Sequence, residues 1–177
     1  MGGHSGDDIN KGRANANKII VCFLEQLSAI DYQLAAIQGG NLRNAIAREG
    51  VAIVTLPKAN TADFETYLNK MNDTYKSEFH ISDPGVEVCF KSTTTPKRVL
   101  NEELQVDVMN CLYACPHGVI AMSQDIKDFV ETSTNLASVK IENDKIVITT
   151  SQRSSVESRK QDASLPRPPF PRPGSGS

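Results

Sequence analysis

Apolar and β-branched positions alternate with polar ones in a way that predicts a succession of helices and strands. Ile19, Phe23 and Leu27 recur every four residues, the spacing of one helix face. Read along the chain, the pattern predicts a helix over 15–29, strands over 32–37 and 45–56, a helix starting at 60–61, a short strand over 86–91, a helix over 101–114 and a hairpin of strands over 136–142 and 145–152.

Turn and cap residues punctuate this pattern. A Gly39-Gly40 turn follows the first strand, and Pro57 ends the second because proline has no backbone N–H. Asn60 is a candidate N-cap, and an Asn143-Asp144 turn suits a two-residue hairpin loop. The order of elements predicts an α+β fold with an antiparallel sheet.

Composition excludes several functional classes. The 177 residues suit one domain, with 39% hydrophobic and 23% charged residues. A formal charge of −2 argues against nucleic-acid binding, which needs clustered Lys and Arg. No apolar run approaches the roughly 20 residues of a membrane helix, and no secretory signal pattern is visible. We expect a cytoplasmic protein with neither nucleic-acid nor membrane partners.

The four cysteines are too few for a disulfide scaffold, which favours a reducing compartment. Cys111, Cys115 and His117 lie close together and raise the alternative of a small zinc enzyme. Cys111 falls on the apolar stripe of the predicted helix, however, and His117 lies in a Pro-His-Gly turn. We therefore predict buried or spectator thiols, and no metal ligands in this chain.

The composition changes towards the end of the chain. We assign residues 1–160 to one domain and 161–177 to a Pro/Gly/Ser-rich tail. Its prolines cannot continue a helix or a central strand, so the tail is expected to be disordered or to derive from a cloning linker. The alternative is a self-standing interaction module whose Pro-rich tail binds an aromatic groove.

Four motifs in this order resemble the aminoacyl-histidine dipeptidases, also called cytosolic non-specific dipeptidases, of the di-zinc exopeptidase superfamily. They are Gly2-Gly3-His4-Ser5-Gly6, Asn15-Ala16-Asn17-Lys18, Gly39-Gly40-Asn41-Leu42-Arg43-Asn44-Ala45-Ile46 and Glu131-Thr132-Ser133. The resemblance runs to about residue 157 and covers only the lid (dimerisation) domain of such an enzyme. It implies an α+β fold, ferredoxin-like with additions, with helices packed on one face of the antiparallel sheet.

In the family, a separate catalytic domain holds two zinc ions and a glutamate general base. No segment of this chain resembles those motifs, and its three histidines are far apart in sequence. Zinc is therefore expected in the parent enzyme and no cofactor in this chain. The parent reaction is the hydrolysis of dipeptides of the Xaa-His type, and we expect no turnover by the chain alone.

The resemblance assigns roles to three residues of the lid. His4 matches a histidine that stabilises the oxyanion in the partner subunit's active site. Asn44 matches an asparagine that touches the substrate across the dimer. Arg153 matches an arginine that binds the peptide carboxylate. Without the resemblance, the same residues would be interpreted as a solvated loop histidine, a turn residue and a surface charge.

Three departures from the family pattern affect this assignment. The family has a strand that leads into the Gly-Gly-His turn, whereas this sequence has only Met1 before the turn. Ala47 stands where the family usually has a proline. The tail stands where the family has a helix, beyond about residue 157. The missing strand would leave an open sheet edge, and such an edge can pair with another copy of the chain. The expected partners are therefore a second copy of the chain, the catalytic domain of the parent enzyme and, in that enzyme, a dipeptide.

Overall fold

The computed structural model describes residues 2–27, 30–142 and 145–164. Its elements, in chain order, are β1 (Gly3–His4), α1 (Ala16–Gln26), β2 (Gln33–Gly39), β3 (Ala45–Ile46), β4 (Gly50–Thr55), α2 (Thr61–Glu78), α3 (Glu102–Ala114), β5 (Gly118–Met122), β6 (Val130–Glu142), β7 (Lys145–Ser154) and α4 (Glu157–Ser164). Among these residues no helix is both long and apolar enough to cross a membrane.

Helix α1 forms as its sequence predicts. Asn15 caps it, because its side chain accepts hydrogen bonds from the backbone N–H groups of Asn17 and Lys18 at 3.0 and 3.4 Å. Val21 and Leu24 are buried on the face that packs against the sheet. The N-cap therefore fixes the point at which the N-terminal turn joins the core.

The described strands form two antiparallel assemblies. A sheet of five has the order β4-β2-β6-β5, with β7 paired to β6, and β1 pairs with β3 in a separate two-stranded ribbon. Helices α1, α2 and α3 contribute buried side chains to the core that covers the sheet. The predicted α+β fold, with an antiparallel sheet and helices on one face, is confirmed.

Helix α3 is confirmed with a small change in length, and the hairpin is confirmed although its first strand begins six residues earlier than predicted. Asn101 caps α3 by accepting from the backbone N–H of Leu104 at 2.8 Å. Strands β6 and β7 extend beyond the prediction to Val130 and Ser154. The predicted Asn143-Asp144 turn lies outside the described residues.

Other boundaries differ in detail. Residues 45–56 form two strands, β3 and β4, rather than one. Helix α2 begins at Thr61, with Asn60 at the N-cap position. The Asn60 side chain makes no capping bond, and Asn60 is itself the last residue of a 3₁₀ turn over Lys58–Asn60.

The strand predicted over 86–91 is wrong. This segment has no strand partner because the Asn72 side chain of α2 takes both backbone hydrogen bonds of Val88. The Asn72 Oδ1 accepts from the Val88 N–H at 2.8 Å, and its Nδ2 donates to the Val88 carbonyl at 2.6 Å. The segment therefore runs as extended chain against α2, and its Phe90 ring lies 5.3 Å from that of Phe64.

The tail was expected to replace a helix beyond about residue 157, but residues Glu157–Ser164 form helix α4. Helix α4 crosses the proposed boundary at residue 160, because the first proline of the tail is Pro166, beyond its last turn. An ion pair between Arg159 and Glu131 holds it against β6. Residues 165–177 lie outside the described part of the chain.

Strand β6 organises the region in which the functional candidates lie. Along one edge it pairs with β7; along the other it pairs with β5 near its start and with β2 only at Val139, opposite Gly39. Between those contacts, the Leu136 carbonyl accepts the side-chain amides of Asn15 and Asn17 at 2.9 and 3.4 Å. Helix α1 thus attaches to the sheet where the strands diverge.

Candidate functional site

The N-terminal turn presents His4 at the edge of the ribbon. Strand β1 places His4 opposite Ala45 of β3, and the Ser5 N–H donates to the Asn44 carbonyl at 2.9 Å. The chain then turns back, because the Asp8 N–H donates to the His4 carbonyl at 2.9 Å. Residues 4 and 44, which are far apart in sequence, therefore become neighbours.

Two glycines make this turn possible. A Cβ atom at Gly3 would lie 2.2 Å from the Arg13 Nη1 and 2.5 Å from the Asp8 Oδ2. A Cβ at Gly6 would lie 2.9 Å from the Arg153 Nη1 and 3.1 Å from the His4 Cε1. Side chains at either position would displace the groups that surround His4.

The His4 imidazole has two competing contacts at Nδ1. The Gly6 N–H donates to Nδ1 at 3.3 Å, which requires an unprotonated Nδ1 and leaves the proton of a neutral ring on Nε2. The Asp7 carboxylate lies 3.1 Å from the same nitrogen and pairs with it when Nδ1 carries a proton. When Nδ1 accepts from Gly6, the Nε2–H of the neutral ring is available as a donor on a side chain that is 42% exposed.

The Asp8 carboxylate links the N-terminal turn to two basic side chains. Its Oδ2 accepts from the backbone N–H of His4 at 2.8 Å and from the Arg13 Nη1 at 3.0 Å, while its Oδ1 accepts from the Lys11 Nζ at 2.7 Å. The Lys11 hydrogen bond, followed by the one from the His4 backbone, lowers the pKa of Asp8. The carboxylate therefore stays charged at neutral pH.

Asn44 and His4 line one cleft of about 940 Å³. Its walls come from the β1–β3 ribbon, the end of the β2–β4 hairpin and the last residues of β6. Asn44 is exposed, so its side-chain amide is free to meet a group that enters the cleft. The cleft is open to solvent and contains both polar and apolar side chains.

Arg153 lies beside His4 although it does not line the cleft. A Cβ atom placed on Gly6 would lie 2.9 Å from the Arg153 Nη1 and 3.1 Å from the His4 Cε1, so the two side chains flank the same small space. Arg153 is exposed, and among the described residues no carboxylate forms an ion pair with it. The structure therefore brings together all three predicted site residues around the N-terminal turn.

A polar stretch of β6, which the prediction placed outside the hairpin, supports this arrangement. Its side chains are almost completely buried although none is apolar: Thr132, Ser133, Thr134 and Asn135. The Asn135 Nδ2 donates to the Ala45 carbonyl at 2.8 Å and so anchors β3 to β6. Four successive polar residues do not match the usual strand alternation, which is why the pattern placed the start of this strand too late.

The residues of the zinc alternative do not form a metal-binding group in the described part of the chain. Within the described residues no group of three or more His, Cys, Asp or Glu side chains could hold a metal ion. Cys111 is exposed rather than buried on the helix stripe, whereas the His117 Nδ1 lies 3.3 Å from the Asn15 Nδ2. Burial and the Lys18 ammonium lower the pKa of His117 to about 4, so the ring is neutral and accepts from Asn15.

Comparisons with known proteins match this architecture. Residues 1–82 match the family model described as peptidase dimerisation domain. The chain is 32% identical over 160 residues to the cytosol non-specific dipeptidase of Escherichia coli (strain K12), covering 90% of this chain and 33% of that protein. The crystal structure of aminoacylhistidine dipeptidase from Vibrio alginolyticus superposes with a TM-score of 0.86 and 35% identity, over 92% of this chain and 34% of that one. The chain spans about one third of the length of these relatives.

Proposed function

We propose that this chain, which is a lid (dimerisation) domain of the aminoacyl-histidine dipeptidase family, acts by completing the active site of a partner subunit. In this proposal two copies associate through the domain. Each then supplies His4, Asn44 and Arg153 to the catalytic domain of the other. Residues 1–160 form the functional unit, and the tail over 161–177 takes no part.

The convergence of the three residues carries the proposal. His4 and Asn44 come from different motifs but line one cleft, and Arg153 comes from the far end of β7 to lie beside His4 at Gly6. A lone solvated histidine would need neither the close glycine turn nor a neighbouring arginine that lacks a carboxylate partner among the described residues. Neighbouring donors of this kind suit a substrate that carries or develops negative charge.

His4 would act on the reacting carbonyl group. Its Nε2–H points away from the Nδ1 contacts, so it can donate to the oxygen that becomes negative as the tetrahedral intermediate forms. A preorganised donor of this kind lowers the barrier by about 3 kcal/mol. The Gly6 N–H holds the ring orientation from the opposite nitrogen.

Arg153 and Asn44 would bind rather than react. A guanidinium forms two parallel hydrogen bonds to a carboxylate, which suits the free C-terminus of a dipeptide. The Asn44 amide both donates and accepts, which suits a peptide group. The proposed substrates are accordingly dipeptides, including those of the Xaa-His type.

We assign water activation to the catalytic domain of the parent enzyme. The proposal assigns zinc to the catalytic domain of the parent enzyme and predicts no turnover by the lid alone. It also assigns the parent enzyme to the cytoplasm, on the strength of the cytosol dipeptidase relative.

A chimeric enzyme tests these roles. Residues 2–160 replace the matching lid segment of the Escherichia coli dipeptidase, and dipeptide hydrolysis is measured for the chimera and its variants. We expect His4→Ala to lower kcat by about a hundredfold, and Arg153→Ala or Asn44→Ala to raise KM more than they lower kcat.

The chimera requires matched controls. Arg43→Ala removes a neighbouring exposed charge and should leave both constants near those of the parent chimera. A folded, dimeric chimera in which His4→Ala changes neither kcat nor KM would contradict the proposed function.

A further inference from the structure

We propose that Asp8 is a positioning residue for His4, holding the N-terminal turn in the geometry that presents the imidazole. The proposal rests on the proposed function, in which His4 acts on substrate. Asp8 itself touches the His4 backbone and two basic side chains, and it does not line the cleft.

The backbone contact is the first part of the argument. The Asp8 Oδ2 accepts the His4 N–H at 2.8 Å, while the Asp8 N–H donates to the His4 carbonyl at 2.9 Å. Both backbone polar groups of His4 are therefore bound by one residue. Rotation of the peptide units on either side of His4 would break at least one of these bonds.

Arg13 connects the Asp8 carboxylate to Gly2, at the start of the turn. Its Nη1 donates both to the Asp8 Oδ2 at 3.0 Å and to the Gly2 carbonyl at 2.6 Å. Gly2 and His4 flank Gly3, whose missing side chain leaves the space that Arg13 and Asp8 occupy. The carboxylate and the guanidinium thus hold the turn on both sides of Gly3.

Charge makes the contact specific for a carboxylate. The Asp8 side chain is 15% exposed and faces the cations of Lys11 and Arg13. An asparagine at this position could still accept one hydrogen bond, but its amide group would direct N–H donors towards one of the two cations. The substitution Asp8→Asn keeps the size of the side chain and loses the network.

Asp7 shows the contrast. It precedes Asp8 in the chain and carries the same charge, but its side chain is 83% exposed, and its ion-pair contact among the described residues is with the imidazole Nδ1. Asp7 therefore contacts the ring itself, whereas Asp8 fixes the backbone that carries the ring.

Hydrogen exchange on the intact chain provides the first test. The exchange rate of the His4 amide is measured by NMR in the wild type, Asp8→Asn, Arg13→Ala and the control Asp73→Asn, which changes an exposed aspartate of α2. We expect Asp8→Asn to speed His4 exchange about tenfold or more, Arg13→Ala to speed it less, and Asp73→Asn to leave it unchanged. A His4 amide that exchanges equally slowly in the wild type, Asp8→Asn and Arg13→Ala would overturn the proposal.

Kinetics in the chimera separates this proposal from the proposed function. We expect Asp8→Asn to lower kcat while KM stays the same, because only the placement of His4 is lost. An unchanged kcat in Asp8→Asn beside a strong effect of His4→Ala would overturn the positioning role alone. If His4→Ala itself has no effect, the proposed function fails, and the exchange rates still decide whether Asp8 holds the turn.

Discussion

The N-terminal turn and the core beneath it are stabilised by different forces. The core is apolar: Leu34, Leu112 and Leu136 are completely buried between helices and sheet. The turn over residues 2–13 depends on directional contacts instead, chiefly the Asp8 network and the close approach at Gly3. Burial sets how stable the domain is, while the polar contacts set where a single imidazole points.

This difference has a functional consequence. A substitution in the core should unfold the domain and remove function indirectly. A substitution in the turn should leave the domain folded and move His4. The following changes test that separation in order of the expected loss of stability.

The largest effect is expected in the core. Leu112→Ala removes a side chain with no exposed surface, so it should lower the free energy of unfolding by about 2–5 kcal/mol through lost burial and the cavity left behind. Urea unfolding measures this. Val106→Ala, on the same helix but 42% exposed, is the matched control and should change stability far less. Equal losses in the two variants would contradict the assigned core.

An intermediate loss of stability is expected on lowering the pH, through His117, which contacts Asn15 where the turn joins the core. The pKa of His117 is lowered from an ordinary 6.5 to about 4, mainly by burial and then by the positive charge of Lys18. A side-chain hydrogen bond with Asn135 acts in the opposite direction and raises the pKa. The unfolded chain therefore binds a proton between these pH values while the folded chain does not. His117 thus favours the folded state fully above about pH 6.5, and up to about 3 kcal/mol of stability is lost as the pH falls towards 4.

Unfolding curves at several pH values measure this loss. Other acidic groups also titrate in this range, so the wild type is compared with His117→Gln. The two chains should differ in the slope of unfolding free energy against pH between 4 and 6.5. Parallel curves would show that His117 is not buried as described.

The smallest loss of stability is expected in the turn. In Gly3→Ala the new Cβ meets the ends of two side chains, Arg13 and Asp8, which can move away, and it lies 2.9 Å from the Asp8 Cβ, which moves only with its backbone. The free energy of unfolding should fall by about 1 kcal/mol or less, while the protection of the His4 amide is lost. Gly85→Ala, where a Cβ has no neighbour within 4 Å, should change neither quantity. Global unfolding by Gly3→Ala would remove the distinction between turn and core.

Much of the core could be predicted from local sequence. Helix α1 has a regular apolar stripe and an asparagine cap, and the prediction for it matches the structure closely. The segment 86–91 could not be placed in this way, because its outcome depends on Asn72, a side chain from another element. Strand β5 was missed for a related reason: Val119 and Ile120 are exposed at a sheet edge and show no clear alternation.

The site was predicted by motif rather than by periodicity. Resemblance predicted roles for His4, Asn44 and Arg153 but gave no reason for their proximity, which comes from the β1–β3 register and the space at Gly6. Asp8 and Asn135 were not predicted. Their roles depend on contacts across the fold, and a single carboxylate or amide in a sequence carries no signal of its partners.

Subunit mixing tests the central claim, that His4 serves the partner's active site, most directly. A chimera carrying His4→Ala is mixed, under conditions that allow dimers to exchange, with a chimera whose lid is intact but whose catalytic half is inactivated. The two are mixed in equal amounts; alone, the first keeps about one hundredth of the parent kcat and the second is inactive. If His4 acts across the dimer, hybrid dimers contain one complete site, and about one quarter of the parent activity should return. If verified hybrid dimers show no recovery, His4 does not act across the dimer and the account is wrong.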